Sequence, residues 1–127
     1  MSPRKEIFMA IKPRYASAIY RGVKTWEFRK VPPPLFRMIY IYESAPISAV
    51  TGWVMFSEAV SGIPLVVWDI VKTNTCYTKN LAGISLPDLE AYAGKKIVTA
   101  LHVYKAERFD KPVPFKGVKA PQNWCRY

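Results

Sequence analysis

Apolar and polar positions along the chain predict mixed α and β structure in which strands dominate. Segments 38–43, 50–60 and 97–109 carry the β-branched and aromatic residues that are typical of strands. Segment 97–109 is apolar on both faces, so it is expected to be a central strand or one that curls into a barrel. Shorter strands are predicted over 6–12 and 25–30.

Three helices are expected between these strands. The first begins at Pro13, which suits the first turn of a helix, and ends at Gly22. The second is predicted over 64–72 from its length and position. The third is predicted over 85–94, because it opens with a Ser that is followed three residues later by an Asp, an arrangement that resembles a capping box. Within the strand 50–60, Gly52 is expected to mark a bulge where the sheet curves.

Length and charge narrow the class of protein. The chain has 127 residues, which is most simply a single domain spanning 1–127. Its net charge of +10 attracts phosphates, so polyanions are the first partners to consider. A basic but functionally inert surface is the alternative, because charge alone does not identify a function.

Membrane, secreted and metal-binding classes are disfavoured. The longest apolar runs, such as 63–67, are far shorter than the roughly 20 residues that span a bilayer. The N-terminus does not resemble a secretory signal, so a cytoplasmic location is expected. Cys76 and Cys125 are expected to be free thiols, and His102 a half-buried structural residue. No metal site and no cofactor are predicted.

Charged, hydroxyl and aromatic residues are concentrated in segment 24–30, where a helix end is followed by a strand. Glu27 and Arg29 fall on one face of this strand, and Trp26 and Phe28 fall on the other. The polar pair could recognise the edge of a base, or it could only support the strand as an ion pair. Trp26 could stack on a base or lie in the core, whereas Phe28 is expected in the core.

Four short motifs occur in order along the chain. They are an Ile-Lys-Pro strand end, a Gly-x-Lys-Thr-x-Glu-x-Arg turn into a strand, a Tyr-x-Ser strand end, and a tail that opens with Pro-Gln and closes with Tyr. Together they resemble the ASCH domain family of the PUA-like superfamily over nearly the whole chain. The resemblance implies an α+β fold, built as a small mixed β-barrel of about five or six strands flanked by two or three helices. It also implies a cleft suited to RNA or a modified nucleobase.

The first functional hypothesis is a binding domain without catalysis, whose basic cleft holds RNA, single-stranded nucleic acid or a nucleotide-like small molecule. Lys12 stands between a predicted strand and helix, where its ammonium and the helix N-terminal amides could face a phosphate. The candidate nucleic-acid-binding residues are Lys12, Lys24, Thr25, Trp26, Glu27, Arg29, Lys30 and Ser44.

The second hypothesis is a hydrolase, because the resembled family includes members that cleave RNA and members that hydrolyse N4-acetylcytidine. Lys24 matches the lysine of that amidohydrolase branch, but Glu27 stands where the branch carries its nucleophilic Thr. The catalytic candidates are therefore Lys24 and Glu27, with Glu27 as a general base for water. A third hypothesis is a protein-interaction domain with an acidic partner. The sequence predicts neither whether turnover occurs nor an oligomeric state.

Overall fold

The computed structural model describes residues 6–73 and 81–115, together with the backbone of 124–126. Six strands and three helices follow one another along this part of the chain. The helices and the first five strands lie where the sequence pattern predicts them, and the last strand was not predicted. The elements are β1 Ile7–Ile11, α1 Pro13–Tyr20, β2 Trp26–Arg29, β3 Ile39–Glu43, β4 Ala49–Gly62, α2 Pro64–Thr73, α3 Leu86–Ala93, β5 Val98–Val113 and β6 Trp124–Arg126. The α+β class is confirmed.

The six strands form one mixed sheet in the order β2-β5-β4-β3-β1-β6. The β1–β3 pair is parallel, and the other neighbours are antiparallel. Among the described residues no strand pairing joins β2 to β1 or β6, so the sheet stays open and the predicted barrel is wrong in this respect. At the free edge of β2, the side chain of Arg29 donates to the carbonyl of Ala10 at 2.6 Å, in place of a backbone ladder.

Each face of the sheet carries its own apolar cluster. The cluster under α1 consists of Ile7, Met9, Ile11, Ala16, Ile19, Ile39, Ile41, Val54, Phe56 and Leu101. The cluster under α2 and α3 consists of Trp26, Phe28, Val67, Val71, Leu81, Leu89, Ala93, Val98 and Ala100. Neighbouring residues of β5 contribute to opposite clusters, which explains why this strand is apolar on both faces.

Gly52 lies at the predicted bulge, where the pairing of β4 with β5 shifts register after Val50. A Cβ atom at Gly52 would lie 2.2 Å from the carbonyl oxygen of Glu107 and 2.6 Å from the hydroxyl of Tyr20. No side chain fits there, so glycine allows α1 to approach the sheet closely.

A polar group attaches the end of α1 to the sheet at this point. The Tyr20 hydroxyl shares a 2.8 Å hydrogen bond with Thr51, and the Arg108 guanidinium lies 4.5 Å from the Tyr20 ring centroid. Arg108 also donates to the buried carboxylate of Glu43 at 3.4 Å. Burial raises the pKa of Tyr20 to about 12, so the hydroxyl stays protonated and serves as a structural anchor.

The helix ends near β2 follow the predicted chemistry. Lys12 is the N-cap of α1 and Pro13 occupies its first turn. Gly22 has a φ of +74°, a left-handed conformation that favours glycine and that turns the chain from α1 towards β2. Ser85 caps α3 through a complete capping box with Asp88. These caps fix both helices beside the edge strand β2.

Some predictions concern residues outside the part of the chain that the structure describes. Cys76 and most of the tail after residue 115 are not described, and only the backbone of Cys125 is, so the free thiols stay a prediction. No helix in the described residues is long and apolar enough to cross a membrane.

Candidate functional site

A cavity of about 550 Å³ opens at the free edge of β2, between the C-terminal end of β1, the start of α1 and the helix α3. Its floor is polar and its walls are mainly apolar or aromatic. It is lined by Ala10, Ile11, Lys12, Tyr15, Glu27, Phe28, Arg29, Ser44, Ile84, Asp88, Leu89 and Tyr92. The gap that leaves the sheet open is therefore also the mouth of a pocket.

Lys24 lies beneath this floor and has no exposed surface. Its ammonium donates to the carbonyl of Trp26 at 2.6 Å and to Glu27 Oε1 at 2.7 Å. It also lies 5.6 Å from the Tyr15 ring centroid. Burial lowers the pKa of Lys24, and the neighbouring Glu27 carboxylate opposes that shift. In this conformation the Lys24 ammonium is directed to these buried partners, and a direct contact of Lys24 with a ligand stays a prediction.

Glu27 forms the centre of the floor, with its side chain 8% exposed. Oε1 accepts from Lys24 and from the backbone N–H of Phe28 at 3.2 Å, and Oε2 accepts from Arg29 at 3.0 Å. Burial raises the pKa of Glu27, but the Lys24 and Arg29 cations more than offset this and hold it at about 2. The carboxylate is therefore ionised at neutral pH and is a weak proton acceptor, which disfavours it as a general base.

Arg29 links β2 to the end of β1, two strands that do not pair with each other. Its guanidinium bonds both Glu27 on its own strand and the carbonyl of Ala10 at the end of β1. The Glu27–Arg29 ion pair confirms that the two side chains share one face of β2. The ion pair also supports the strand, which is the alternative considered from the sequence. Both residues nevertheless line the cavity.

Cationic and aromatic groups surround the mouth of the cavity. Lys12 is exposed at the start of α1, and Ser44 follows β3 with its N–H donating to the carbonyl of Ile11 at 3.1 Å. The exposed Lys30 places its ammonium 4.9 Å from the ring centroid of Tyr92, and its backbone N–H donates to the Tyr92 hydroxyl. Tyr15 on α1 completes the aromatic lining.

The predicted site residues separate into two groups. Four of them line the cavity: Lys12, Glu27, Arg29 and Ser44. Trp26 is 2% exposed in the cluster under α2 and α3, in edge contact with His102, so it offers no face to a base and the core interpretation holds. Thr25 accepts from Val103 through its carbonyl, and Lys30 is near the mouth without lining the cavity.

Three residues of the site were missed from the sequence: Tyr15, Asp88 and Tyr92. Tyr15 and Tyr92 fall within predicted helices and outside the four motifs, and Asp88 was assigned only to the helix cap. The signal that could have found the tyrosines is their hydroxyl, which a fully buried position rarely tolerates without a partner. The described residues hold no group of three or more His, Cys, Asp or Glu that could bind a metal.

Fold and pocket together define a small α+β domain with an open sheet and a half-enclosed cavity at its edge strand. No family model matches the chain. A curated relative, the ASCH domain-containing ribonuclease of Zymomonas mobilis, is 37% identical over 67 residues, which are 51% of this chain and 45% of that protein. The match therefore spans less than half the length of that relative.

Solved structures extend the likeness over the whole fold. The crystal structure of ASCH from Zymomonas mobilis superposes on this chain with a TM-score of 0.77 and 24% identity. The superposition covers 98% of the present chain and 89% of the Zymomonas chain. A Ser-to-Ala variant of the same protein covers 100% of this chain and 91% of that chain, with a TM-score of 0.79 and 25% identity. The chain therefore shares the fold of these ASCH structures, which its motifs resemble.

Proposed function

We propose that this domain binds RNA or single-stranded nucleic acid, and that the cavity at the edge of β2 takes one nucleotide, with its base inside and its phosphates at the mouth. The observation that carries the proposal is the cavity itself, with the Glu27–Arg29 pair as its floor. We include a single domain over 1–127 and a cytoplasmic location in the proposal.

The cavity has the size and lining that suit a base. A volume of about 550 Å³ lies within the range of small-molecule sites, which combine apolar walls with a few fixed polar groups. Phe28 and Leu89 supply apolar walls, and the rings of Tyr15 and Tyr92 supply faces for stacking. A base matches this combination, because it has two apolar faces and a polar edge.

The surroundings of the mouth suit phosphates. Lys12 and Lys30 are exposed near it, and the whole chain carries a net charge of +10. The interior is less suited to a phosphate, because the carboxylates of Glu27 and Asp88 both border it. The base is therefore placed inside and the sugar–phosphate backbone outside.

Ribonuclease activity is the second candidate, and the name of the curated relative favours it. If this domain cleaves RNA, the groups at the cavity that could move protons are the hydroxyls of Tyr15, Ser44 and Tyr92, with Lys12 to stabilise phosphate charge. Glu27 and Lys24 are less suited to direct catalysis, the first because it is a weak base and the second because it is buried.

Binding is tested by fluorescence anisotropy with a labelled single-stranded RNA of mixed sequence. Tyr92→Ala is expected to weaken binding by about five- to hundredfold if its ring stacks on the base, while Tyr92→Phe keeps the ring and should stay close to the unchanged protein. Lys12→Gln should also weaken binding more than Lys72→Gln, which removes the same charge from the exposed side of α2. Equal affinities across these variants would contradict the proposed site.

Turnover is tested separately by incubating the protein with the same RNA and with N4-acetylcytidine, and separating the products by chromatography. The binding proposal expects intact RNA and intact nucleoside at protein concentrations that saturate binding. RNA cleavage that disappears in a variant of Tyr15, Ser44 or Tyr92 would instead establish the ribonuclease alternative.

A further inference from the structure

The Glu27 carboxylate, which lines the cavity, has hydrogen-bonding capacity left. An ionised carboxylate offers about four lone-pair positions, two on each oxygen. Oε1 uses both, for Lys24 and for the N–H of Phe28, whereas Oε2 is bonded only to Arg29 in the described residues. One acceptor position on Oε2 therefore remains, on a residue that lines the cavity.

This acceptor cannot become a donor under ordinary conditions. The Lys24 and Arg29 cations keep Glu27 ionised, so it can only accept. It also cannot turn away easily, because Lys24 holds one oxygen while Arg29 holds the other and is itself bonded to Ala10. A ligand in the cavity meets a fixed negative acceptor that requires an N–H or O–H.

We infer that the cavity selects bases with an exocyclic amino group, namely cytosine, adenine or guanine, and that this group donates to Glu27 Oε2. The inference rests on the proposed function and adds the chemical class of base to it. Amino groups of cytosine and adenine are donors, and acidic side chains are known acceptors for the cytosine amine.

Uracil and thymine fit the same acceptor poorly. Their ring N–H lies between two carbonyl oxygens, so donation from it brings the partial negative charge of a carbonyl oxygen close to the carboxylate. Their remaining edge groups are acceptors, which cannot bond to an acceptor. The structure thus favours the amino-bearing bases by one charge-assisted hydrogen bond and disfavours the others by repulsion.

The test uses the unchanged protein and pairs of ribonucleoside monophosphates that differ only in the amino group, with affinities measured by calorimetry. Cytidine monophosphate is paired with pyrimidin-2-one ribonucleoside monophosphate, and adenosine monophosphate with purine ribonucleoside monophosphate. Each amino-bearing member should bind roughly ten- to hundredfold more tightly than its partner, which lacks the hydrogen bond to a charged acceptor. Uridine monophosphate should bind as weakly as the analogues that lack the amino group.

The outcomes separate the two proposals. Equal affinities within both pairs would overturn the inference and leave nucleotide binding intact. No binding of any of the five compounds, with RNA binding also absent, would overturn both. In the variant Glu27→Gln the advantage of the amino-bearing member should shrink, whereas Glu90→Gln, which removes an exposed carboxylate of α3 that does not line the cavity, should keep it. An unchanged advantage in Glu27→Gln would assign the selectivity to another group.

Discussion

Lys24 is among the largest of the fully buried side chains described, and the only one of them that carries a charge. Removing an ammonium from water costs several kcal/mol, and only close partners offset that cost. The carboxylate of Glu27 and the carbonyl of Trp26 are such partners, at 2.7 and 2.6 Å. The pair therefore stabilises the fold as a unit, and removing either charge leaves the other buried with less compensation.

Replacing Lys24 by Met is expected to lower the free energy of unfolding by about 3 to 5 kcal/mol, because it leaves the Glu27 carboxylate buried with less compensation. Urea denaturation followed by circular dichroism measures the loss. Lys72→Met, on an exposed position of α2, is the matched control and should change stability by less than about 0.5 kcal/mol. A small loss in both variants would show that Lys24 is not required for the fold.

Glu27 gives the molecule an acid-sensitive stability. Its pKa is lowered from 4.5 to about 2 in the folded protein, so its ionised form stabilises the fold fully above pH 4.5, and that contribution is lost as the pH falls towards 2. The whole contribution is on the order of 3 kcal/mol. Carbon-13 NMR of the Glu27 carboxyl should show no titration between pH 7 and 3.5. A midpoint near 4.5 would contradict the ion-pair network.

The sequence predicted which face of β2 each side chain occupies, but it did not predict the burial of Lys24. Alternation along a strand correctly placed Glu27 and Arg29 on one face and Phe28 in the core. The burial of Lys24 was not predictable, because a lysine three residues before a glutamate is equally compatible with an exposed pair. What buries it is the tertiary position of Tyr15 and α1 above the strand.

At the scale of elements, the N-terminal cap of α3 affects both the stability of that helix and the position of one wall of the cavity. The Ser85 hydroxyl accepts from the backbone N–H of Asp88, and the backbone N–H of Ser85 donates to the Asp88 carboxylate in return. The backbone and side-chain hydrogen bonds from Ser85 lower the pKa of Asp88. Because Asp88, Leu89 and Tyr92 all line the cavity, the cap also positions one wall of the site.

Ser85→Ala is expected to cost about 1 kcal/mol of stability through loss of the N-cap, and to weaken nucleotide binding as the wall loosens. Thermal unfolding and calorimetric titration measure the two effects. Ser85→Thr retains the hydroxyl and is the matched variant, with little change expected in either quantity. Weaker binding in both variants alike would mean that the cap hydroxyl does not position the wall.

Helices and strands were well predicted because their signals are local. The Pro at the start of α1, the capping box of α3 and the β-branched residues of β3 and β4 each act within a few residues. Closure of the sheet is different, since it depends on which edges meet in space. Nothing in the sequence of β2 shows that the Arg29 side chain, and not its backbone, contacts the end of β1.

At the scale of the whole molecule, the net charge of +10 should dominate the salt dependence of nucleic-acid binding. The logarithm of the affinity for single-stranded RNA is expected to fall with the logarithm of salt concentration, with a slope of about 0.7 for each phosphate neutralised. If Lys12 and Lys30 each neutralise one phosphate, each Gln variant should lower that slope by about 0.7. Anisotropy titrations at three salt concentrations measure it, and a slope near zero would contradict the electrostatic interface.

The short length of β2 gives the buried lysine one more consequence. A strand of four residues, Trp26–Arg29, has few cross-strand contacts with which to fix its register against β5. A slip of one residue would turn Phe28 towards α1 and Glu27 into the apolar cluster on the other face. Because the Lys24 ammonium lies below only one face of the strand, its ion pair forms only in the register in which Glu27 points towards it. Lys24 thus acts as a register lock for the strand that borders the cavity.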